Sequence, residues 1–488
     1  MRFLTLCLLV LTSSIALAQQ YDLVIEGGRV LDPESGLDAV RNIGINGGRI
    51  ARISSDALPG KRRISASGLV VAPGFIDLHQ HGQDLESQRV KAFDGVTTAL
   101  ELEIGATDVT QFLKAKAGHS MIHYGTAASH VAARALIFGA PLPAAPITSR
   151  PGIPEILPKS GPATEMHATP EQLEGIKNRL RAELDAGALA IGMGIQYTPG
   201  ATRHEVIEMF RLAAERDVPV YTHMRSFGRI EPGSAVEATS EVIGAAAVTG
   251  ASLHIVHINS TCGADSLECL AMVAGARARG LDVTTEAYPY IAGMTSINSA
   301  VFNPGWQEKL GIAYSDLVLP DTGEHLTKER FDELHNSSVP RSIVIFSNKQ
   351  ELVDKVIPHP LVMIASDGAI GHPRNAGTFT RVLAHYVREK QSLTLMDAVR
   401  KMTLMPAQVL ERSTPDARRK GRLQEGADAD IVVFDPQTIA DRSTYQSPME
   451  PSVGVKFLTV EGTLLIDAGK IVPDVYPGQA IVGPSSVH

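Results

Sequence analysis

From about position 70 to about 420, apolar runs alternate again and again with stretches of helical periodicity. Eight such runs read as strands: Leu69–His79, Val96–Glu103, Met121–Ala128, Ala188–Gln196, Val218–His223, Leu253–Ile258, Leu281–Ala287 and Leu361–Asp367. Strand–helix alternation of this kind is the βαβ pattern of a parallel sheet. Eight units predict an α/β fold, a closed (β/α)8 TIM-like barrel whose chemistry sits at the C-terminal ends of its strands. Thr169-Pro-Glu-Gln172 and Thr202-Arg-His-Glu205 read as capping boxes that start two of the helices, the first with proline in its first turn. Two segments interrupt the repeat. Gly139–Ala168 is proline-rich and reads as a long loop, and Tyr288–His359 is an insertion long enough to cover a site.

The two ends of the chain follow a different period. Tyr21-Asp-Leu-Val-Ile-Glu and Asn42-Ile-Gly-Ile-Asn-Gly-Gly-Arg-Ile alternate every second residue, with Asn46-Gly47-Gly48 as a hairpin turn. Gly426–Asp435 and Val455–Asp467 are short strands of the same kind. Neither end has enough strands for a stable sheet alone. They are therefore expected to pair into a small composite β-sandwich of residues 19–68 and 421–488. The barrel then takes residues 69–420, with a lid-like insertion at about 288–359.

Length agrees with this division, since 488 residues suit a large barrel plus an accessory domain. A net charge of −8 and no basic run argue against a nucleic-acid partner. Residues 1–18 carry Arg2, an apolar stretch Phe3–Ile15 and a small-residue cleavage site Ala16-Leu17-Ala18, the form of a signal peptide. The run is short for a membrane span and Cys7 lacks a lipoprotein context, so no stable membrane anchor is expected. The expectation is export to the periplasm or medium. Cys262 and Cys269 then remain. If Ala264–Arg279 is one helix, cysteines seven apart lie about 10 Å apart, beyond disulfide reach, and two buried free thiols are expected.

The strand ends carry the chemistry. Strand one closes on His79-Gln80-His81, and alternation aims residues i and i+2 at one point. Strand two places Glu101 and Glu103 on one face, which is costly in an apolar strand unless they are paired or bound to a metal. Strand five ends at His223, followed by Arg225, and strand eight at Asp367. On strand six, His254 and His257 differ by three and so should face opposite ways. His257, nearer the tip, is the candidate, and His254 is expected to be packed or helix-facing. His130 and His372 follow strands three and eight and are weaker candidates. Neutral imidazoles with carboxylates suit Zn²⁺, one or two ions per chain. Such an ion lowers the pKa of water from about 15.7 towards 7 and polarises a carbonyl, while a nearby Asp moves the proton to a leaving nitrogen. The chemistry expected is metal-assisted hydrolysis of an amide-type C–N bond in a small molecule.

Several motifs extend this reading: Gly74-Phe-Ile-Asp-Leu-His-Gln-His81, Gly95-Val-Thr-Thr98, Gly194-Ile-Gln-Tyr197-Thr-Pro-Gly-Ala201, Ser366-Asp367-Gly, His372-Pro-Arg374-Asn-Ala-Gly-Thr-Phe-Thr-Arg381, and Gly421-Arg-Leu-Gln-Glu-Gly-Ala-Asp-Ala-Asp-Ile-Val. With these the chain resembles the amidohydrolase superfamily, and most of all its D-aminoacylase (N-acyl-D-amino-acid deacylase) branch, from about Tyr21 onward. The resemblance implies a barrel with a composite β-sandwich. It implies His79 and His81 on one metal, His223 and His257 on the other side of the centre, and Asp367 as general base, then acid, with a part in metal binding.

Two departures stand out. The branch carries a Cys ligand at the end of strand two, where this chain has Ile104, so Glu103 is expected to bridge, with Glu101 second. Some relatives use a carboxylated lysine on strand four, but Ala188–Gln196 contains none. The branch also has a lysine shortly after the strand-six histidine, where this chain has Asn259. Arg225 or Arg374 could hold a substrate carboxylate instead, since guanidinium binds it bidentately; each could equally be a helix-side salt bridge. Tyr197 and Tyr288 match tyrosines that line the branch's pocket, and could equally be buried aromatics with bonded hydroxyls. The leading expectation is hydrolysis of N-acyl-D-amino acids. A cyclic amide or an unusual dipeptide is the alternative on the same centre. A non-catalytic assembly protein of this fold is disfavoured by the intact ligand set. The sequence leaves room for a homo-oligomer.

Overall fold

The computed structural model describes residues 20–142 and 161–484. The expected signal peptide and most of the proline-rich loop lie outside the described residues. Eight parallel strands run side by side in chain order: Phe75–Asp77, Val96–Ala106, His123–Ser129, Ile191–Gly194, Val220–His223, Leu253–Ile255, Val283–Ala287 and Val362–Ile364. All but one of their residues are buried, as strands covered on both faces must be. The first and eighth strands meet through a parallel bridge between Gln80 and Gly368. Asp77 fastens the same seam. It accepts from the Ser366 amide at 2.9 Å and from the buried Lys91 ammonium at 2.8 Å. The result is a near-closed barrel.

A second, nine-stranded mixed sheet is built from both ends of the chain. Tyr21–Asp32 pairs antiparallel with Leu37–Asn46, which continues through Gly47 and Gly48 into Arg49–Ser54. On the other side lie Val70–Pro73, Ile431–Phe434, Val455–Val460, Thr463–Asp467 and Lys470–Ile471. Its core includes Leu23, Ile25, Ile43, Ile45, Val71, Ile431 and Val433. The expected strand Leu69–His79 is therefore two strands in two sheets. Val70–Pro73 pairs with Ile431–Phe434, the chain steps across at Gly74, and Phe75–Asp77 begins the barrel. Gly74 is required at the step, because a Cβ there would lie 2.2 Å from the Thr97 side chain. A buried polar knot ties the sheets together. Lys420 reaches Asp430 at 2.7 Å, Asp428 at 2.9 Å and His123 at 3.2 Å, and the Gln479 amide donates to His123.

The insertion forms its own three-stranded sheet of Ala292–Ser296, Ser342–Phe346 and Leu317–Val318. Thr169 makes the expected capping box with Gln172. Thr202 caps its helix, but Glu205 does not complete the box: its carboxylate is taken by Arg134 at 2.6 Å and His130 at 2.8 Å. That pairing also places His130 away from the strand-end cluster. The thiol expectation is overturned, because Cys262 and Cys269 form a disulfide with Cα atoms 6.6 Å apart. No single helix joins them. The chain turns at Gly263 (φ 49°) and the helix starts only at Ser266, which brings the two cysteines into reach. Among the described residues no helix is long and apolar enough to cross a membrane.

Candidate metal centre

Strand two sets the centre. Its pairing with strand three slips between Glu101 and Ala106, and Gly105 makes the slip with φ 76°. A side chain at Gly105 would lie 2.5 Å from the Ala127 carbonyl. Glu103 is thereby delivered into the mouth of the barrel, where its two oxygens serve different partners. Oε2 lies 3.0 Å from His79 Nε2 and 3.2 Å from His81 Nε2. Oε1 lies 2.6 Å from His223 Nδ1 and 3.2 Å from His257 Nε2. Asp367 completes the first group, with Oδ1 3.5 Å from His79 Nε2 and 3.3 Å from His81 Nε2. All six residues are buried. Asp367 (φ 48°) and His257 (φ 31°) both adopt left-handed backbone, a strain of the kind found at functional sites.

These distances test whether a metal fits. Donor atoms about 2.0–2.1 Å from a tetrahedral zinc are about 3.3 Å from one another. The edges that join the His79 and His81 Nε2 atoms to each other, to Glu103 Oε2 and to Asp367 Oδ1 run from 3.0 to 3.5 Å, with the two imidazole nitrogens 3.3 Å apart. His223, His257 and the second Glu103 oxygen have edges of 2.6 to 3.2 Å. The residues present therefore fit a metal: His79, His81 and Asp367 are close enough to hold one ion, and so are His79, Glu103 and His257.

Each imidazole is aimed by a bond on its far nitrogen, the arrangement that fixes the tautomer of metal-ligating histidines. His79 Nδ1 meets Glu286 at 2.6 Å, His81 Nδ1 meets Glu101 at 2.6 Å, His257 Nδ1 meets Thr261 Oγ1 at 2.8 Å, and His223 Nε2 meets Gln196 at 2.7 Å. Glu101, the second candidate for the bridge, is thus placed behind His81. The electrostatics call for a cation. Burial disfavours charge on His79, yet Asp367, Glu103 and Glu286 outweigh it and raise its pKa to about 10. Burial pushes Glu103 and Asp367 up, but the imidazoles hold Glu103 well below the usual carboxylate range, and Arg374 and His79 do the same for Asp367.

Model-based family comparison matches the amidohydrolase family over residues 163–466. The chain belongs to this family. It is 30% identical to an N-acyl-D-glutamate deacylase of Alcaligenes xylosoxydans xylosoxydans, over 96% of this chain and 98% of that protein. It is 29% identical to a D-aminoacylase of the same organism, over 91% and 94%. Among solved structures, an N-acyl-D-glutamate deacylase of Bordetella bronchiseptica, complexed with zinc and a phosphonate that mimics the tetrahedral intermediate, superimposes with a TM-score of 0.79 at 27% identity. That match covers 95% of this chain and all of the other. The family and the buried ligand cluster make this amidohydrolase a metal-dependent hydrolase resembling the D-aminoacylase branch.

Beside the ligands, a cavity of about 340 Å³ is lined by His81, Glu103, His223, His257, Asp367 and Tyr197, and by residues of the insertion. Tyr197 packs on His223 with ring centroids 4.7 Å apart. Arg374 is fully buried, 2.8 Å from Asp367, and lies over the Tyr288 ring at 4.6 Å. Arg225 is the helix-side salt bridge: it pairs with Glu241 at 2.7 Å and does not line the cavity. His372 bonds the Ala292 carbonyl and the Arg374 amide, so it supports the arginine from behind.

The strand-six reading needs one correction. The strand ends at Ile255, and the left-handed backbone of His257 turns it back to the interior. His254 is packed, but inside the barrel: its Nε2 meets Glu286 at 3.0 Å, and Glu286 in turn reaches across strand eight to His79. Glu286, Gln196 and Thr261, which back His79, His223 and His257, carry no strand-end signal in the sequence. Glu286 was findable, as a carboxylate in an apolar strand that calls for a partner just as Glu101 and Glu103 do.

Proposed function

We propose that this amidohydrolase cleaves the amide C–N bond of N-acyl-D-amino acids at a zinc centre held by His79, His81, Glu103, His223, His257 and Asp367. The observation that carries the reading is Glu103, with each carboxylate oxygen facing its own pair of imidazoles. Zinc bound there supplies Lewis acidity and makes water a better acid near neutral pH. Asp367 is held ionised, so it takes the water's proton and returns it to the leaving nitrogen. Arg374, stacked on Tyr288, is fully buried and pairs with Asp367 at 2.8 Å; neither it nor Tyr288 lines the cavity, so its part is to position Asp367 rather than to meet the substrate. Tyr197, buried against His223, orients the carbonyl. Asn259, where the branch has lysine, donates to the Tyr288 carbonyl at 3.0 Å and so positions that tyrosine. Three relatives whose names specify D-amino acids or their N-acyl forms support the stereochemistry.

The test uses protein lacking residues 1–18, quantified for zinc and assayed on N-acetyl-D- and N-acetyl-L-amino acids. The expected result is about two zinc ions per chain and D-selective turnover, with zinc reduced in Glu103→Ala and turnover lost in Asp367→Asn. Zinc without turnover of either enantiomer moves the substrate to a cyclic amide or a dipeptide. No bound metal after zinc is resupplied overturns the proposal. Export is proposed on the pattern of residues 1–18, and the Cys262–Cys269 disulfide supports it.

A further inference from the structure

We infer that the Cys262–Cys269 bridge positions His257, and through it governs zinc held by His79, Glu103 and His257 while leaving zinc held by His79, His81 and Asp367 unchanged; this rests on the function proposed above. His257 lies two residues past the end of its strand at Ile255, on left-handed backbone. The single turn that follows, Ile258–Thr261, holds it there. The Ser260 and Thr261 amides donate to its carbonyl at 2.8 and 3.1 Å, and Thr261 Oγ1 meets its Nδ1 at 2.8 Å. A turn so short is not stable by itself. Cys262 closes it, its amide donating to the Ile258 carbonyl at 3.0 Å. The bridge then ties Cys262, across the left-handed Gly263, to Cys269 in the first turn of the helix Ser266–Ala278. Both cysteines are buried. Thr239 Oγ1 lies 3.3 Å from Cys269 Sγ and 3.5 Å from Met224 Sδ, so the bridge packs, through Thr239, towards the residue that follows His223.

The other group is braced from elsewhere. Glu286 aims His79, Glu101 aims His81, and Arg374 pairs with Asp367. Those imidazoles meet charged carboxylates, whereas His257 meets a neutral hydroxyl, so its aim depends more on where the backbone places Thr261. Strained backbone of the kind His257 adopts persists only while its surroundings hold it. Opening the bridge frees the chain at Gly263, two residues from Thr261, and the loss is passed to His257 before any other ligand. Losing the partner of a ligating imidazole weakens metal binding by about 10–100-fold, and a loosened partner belongs at the lower end.

The test is zinc affinity by chelator competition, on protein lacking residues 1–18 and well below its melting temperature. The native protein should hold about two ions. Cys262→Ala with Cys269→Ala should hold one as the native protein does and the other about tenfold or more weaker. Adding His81→Ala to that variant should weaken the ion that remained, and adding His257→Ala should leave it as it was. Cys262→Val with Cys269→Ala refills part of the lost volume and stands in if the first variant does not fold. Both ions held as in the native protein, both weakened alike, or neither variant folding overturns the inference. The bridge then serves the fold as a whole, and the proposed function stands. A native protein that holds one ion also overturns the inference alone, and one that holds none overturns both.

Discussion

Replacing Glu286 tests whether the centre depends on a residue that faces away from it. Glu286 is 1% exposed and serves two imidazoles at once, His79 Nδ1 at 2.6 Å and His254 Nε2 at 3.0 Å. The two imidazoles hold its pKa down to about 2 against the effect of burial, so it is charged throughout the working range. A carboxylate on the far nitrogen makes a ligating imidazole more basic and locks its rotation; loss of such a partner weakens metal binding by about 10–100-fold. That range is about 1.4–2.7 kcal/mol. Glu286→Gln keeps the shape and an acceptor for His79 but removes the charge, and should fall at the lower end. Glu286→Ala also strands His254 in the interior, so it should add a loss of folding stability of about 1–3 kcal/mol. Competition against a chromophoric chelator gives the zinc affinity, and urea unfolding of the metal-free protein gives the stability. If both variants bind zinc as the native chain does, the Glu286–His79 bond does not tune the centre and the argument fails.

Three further outcomes are expected. Arg374→Met removes the largest influence that holds Asp367 below its ordinary pKa, so the acid limb of kcat/KM should move to higher pH; an unmoved limb refutes the pairing. Lys420→Met leaves Asp428 and Asp430 buried without their ammonium and should cost about 3–5 kcal/mol by denaturant melts. Asp430 is held below its ordinary value of 3.8 by His123 and Lys420 against burial. The stability it contributes is therefore present above that pH and lost as the solution is acidified, and in the Lys420 variant this acid sensitivity should shrink. Reduction of Cys262–Cys269, or Cys269→Ser, should cost about 2.5 kcal/mol by loop-closure entropy for so short a loop, read as a fall in Tm under reducing conditions.

The barrel was legible because its strands are covered on both faces and so are apolar at almost every position, which makes them stand out from the amphipathic helices between them. The strand-end cluster was legible because histidines and carboxylates at the ends of such strands are too costly to bury without a partner. What was hidden depended on backbone turns that side-chain pattern does not encode. The run Leu69–His79 is equally apolar whether it serves one sheet or two, and only the close approach of Thr97 to Gly74 marks the step. The left-handed turn at His257 lets two histidines three apart share one interior, against the alternation rule. The turn at Gly263 breaks what composition alone reads as one helix, and with it the spacing argument against a disulfide. Glu205 shows a local signal overridden from afar, its carboxylate drawn from the capping box by Arg134 and His130.

The step at Gly74 also bears on how the chain matures. Val70–Pro73 lies between Tyr21–Asp32 on one side and Ile431–Phe434 on the other, a pairing of segments roughly 360 residues apart. Five residues beyond Gly74 lies His79. Chains emerge from the ribosome N-terminus first, and such distant contacts form late. The first histidine pair is made early in synthesis but cannot be seated until nearly the whole polypeptide exists. A nascent chain thus offers solvent a loose His79-Gln80-His81 and no finished cage. Capture of the ion becomes one of the last events of folding, and a chain truncated before Ile431 should emerge with its histidines and without its metal.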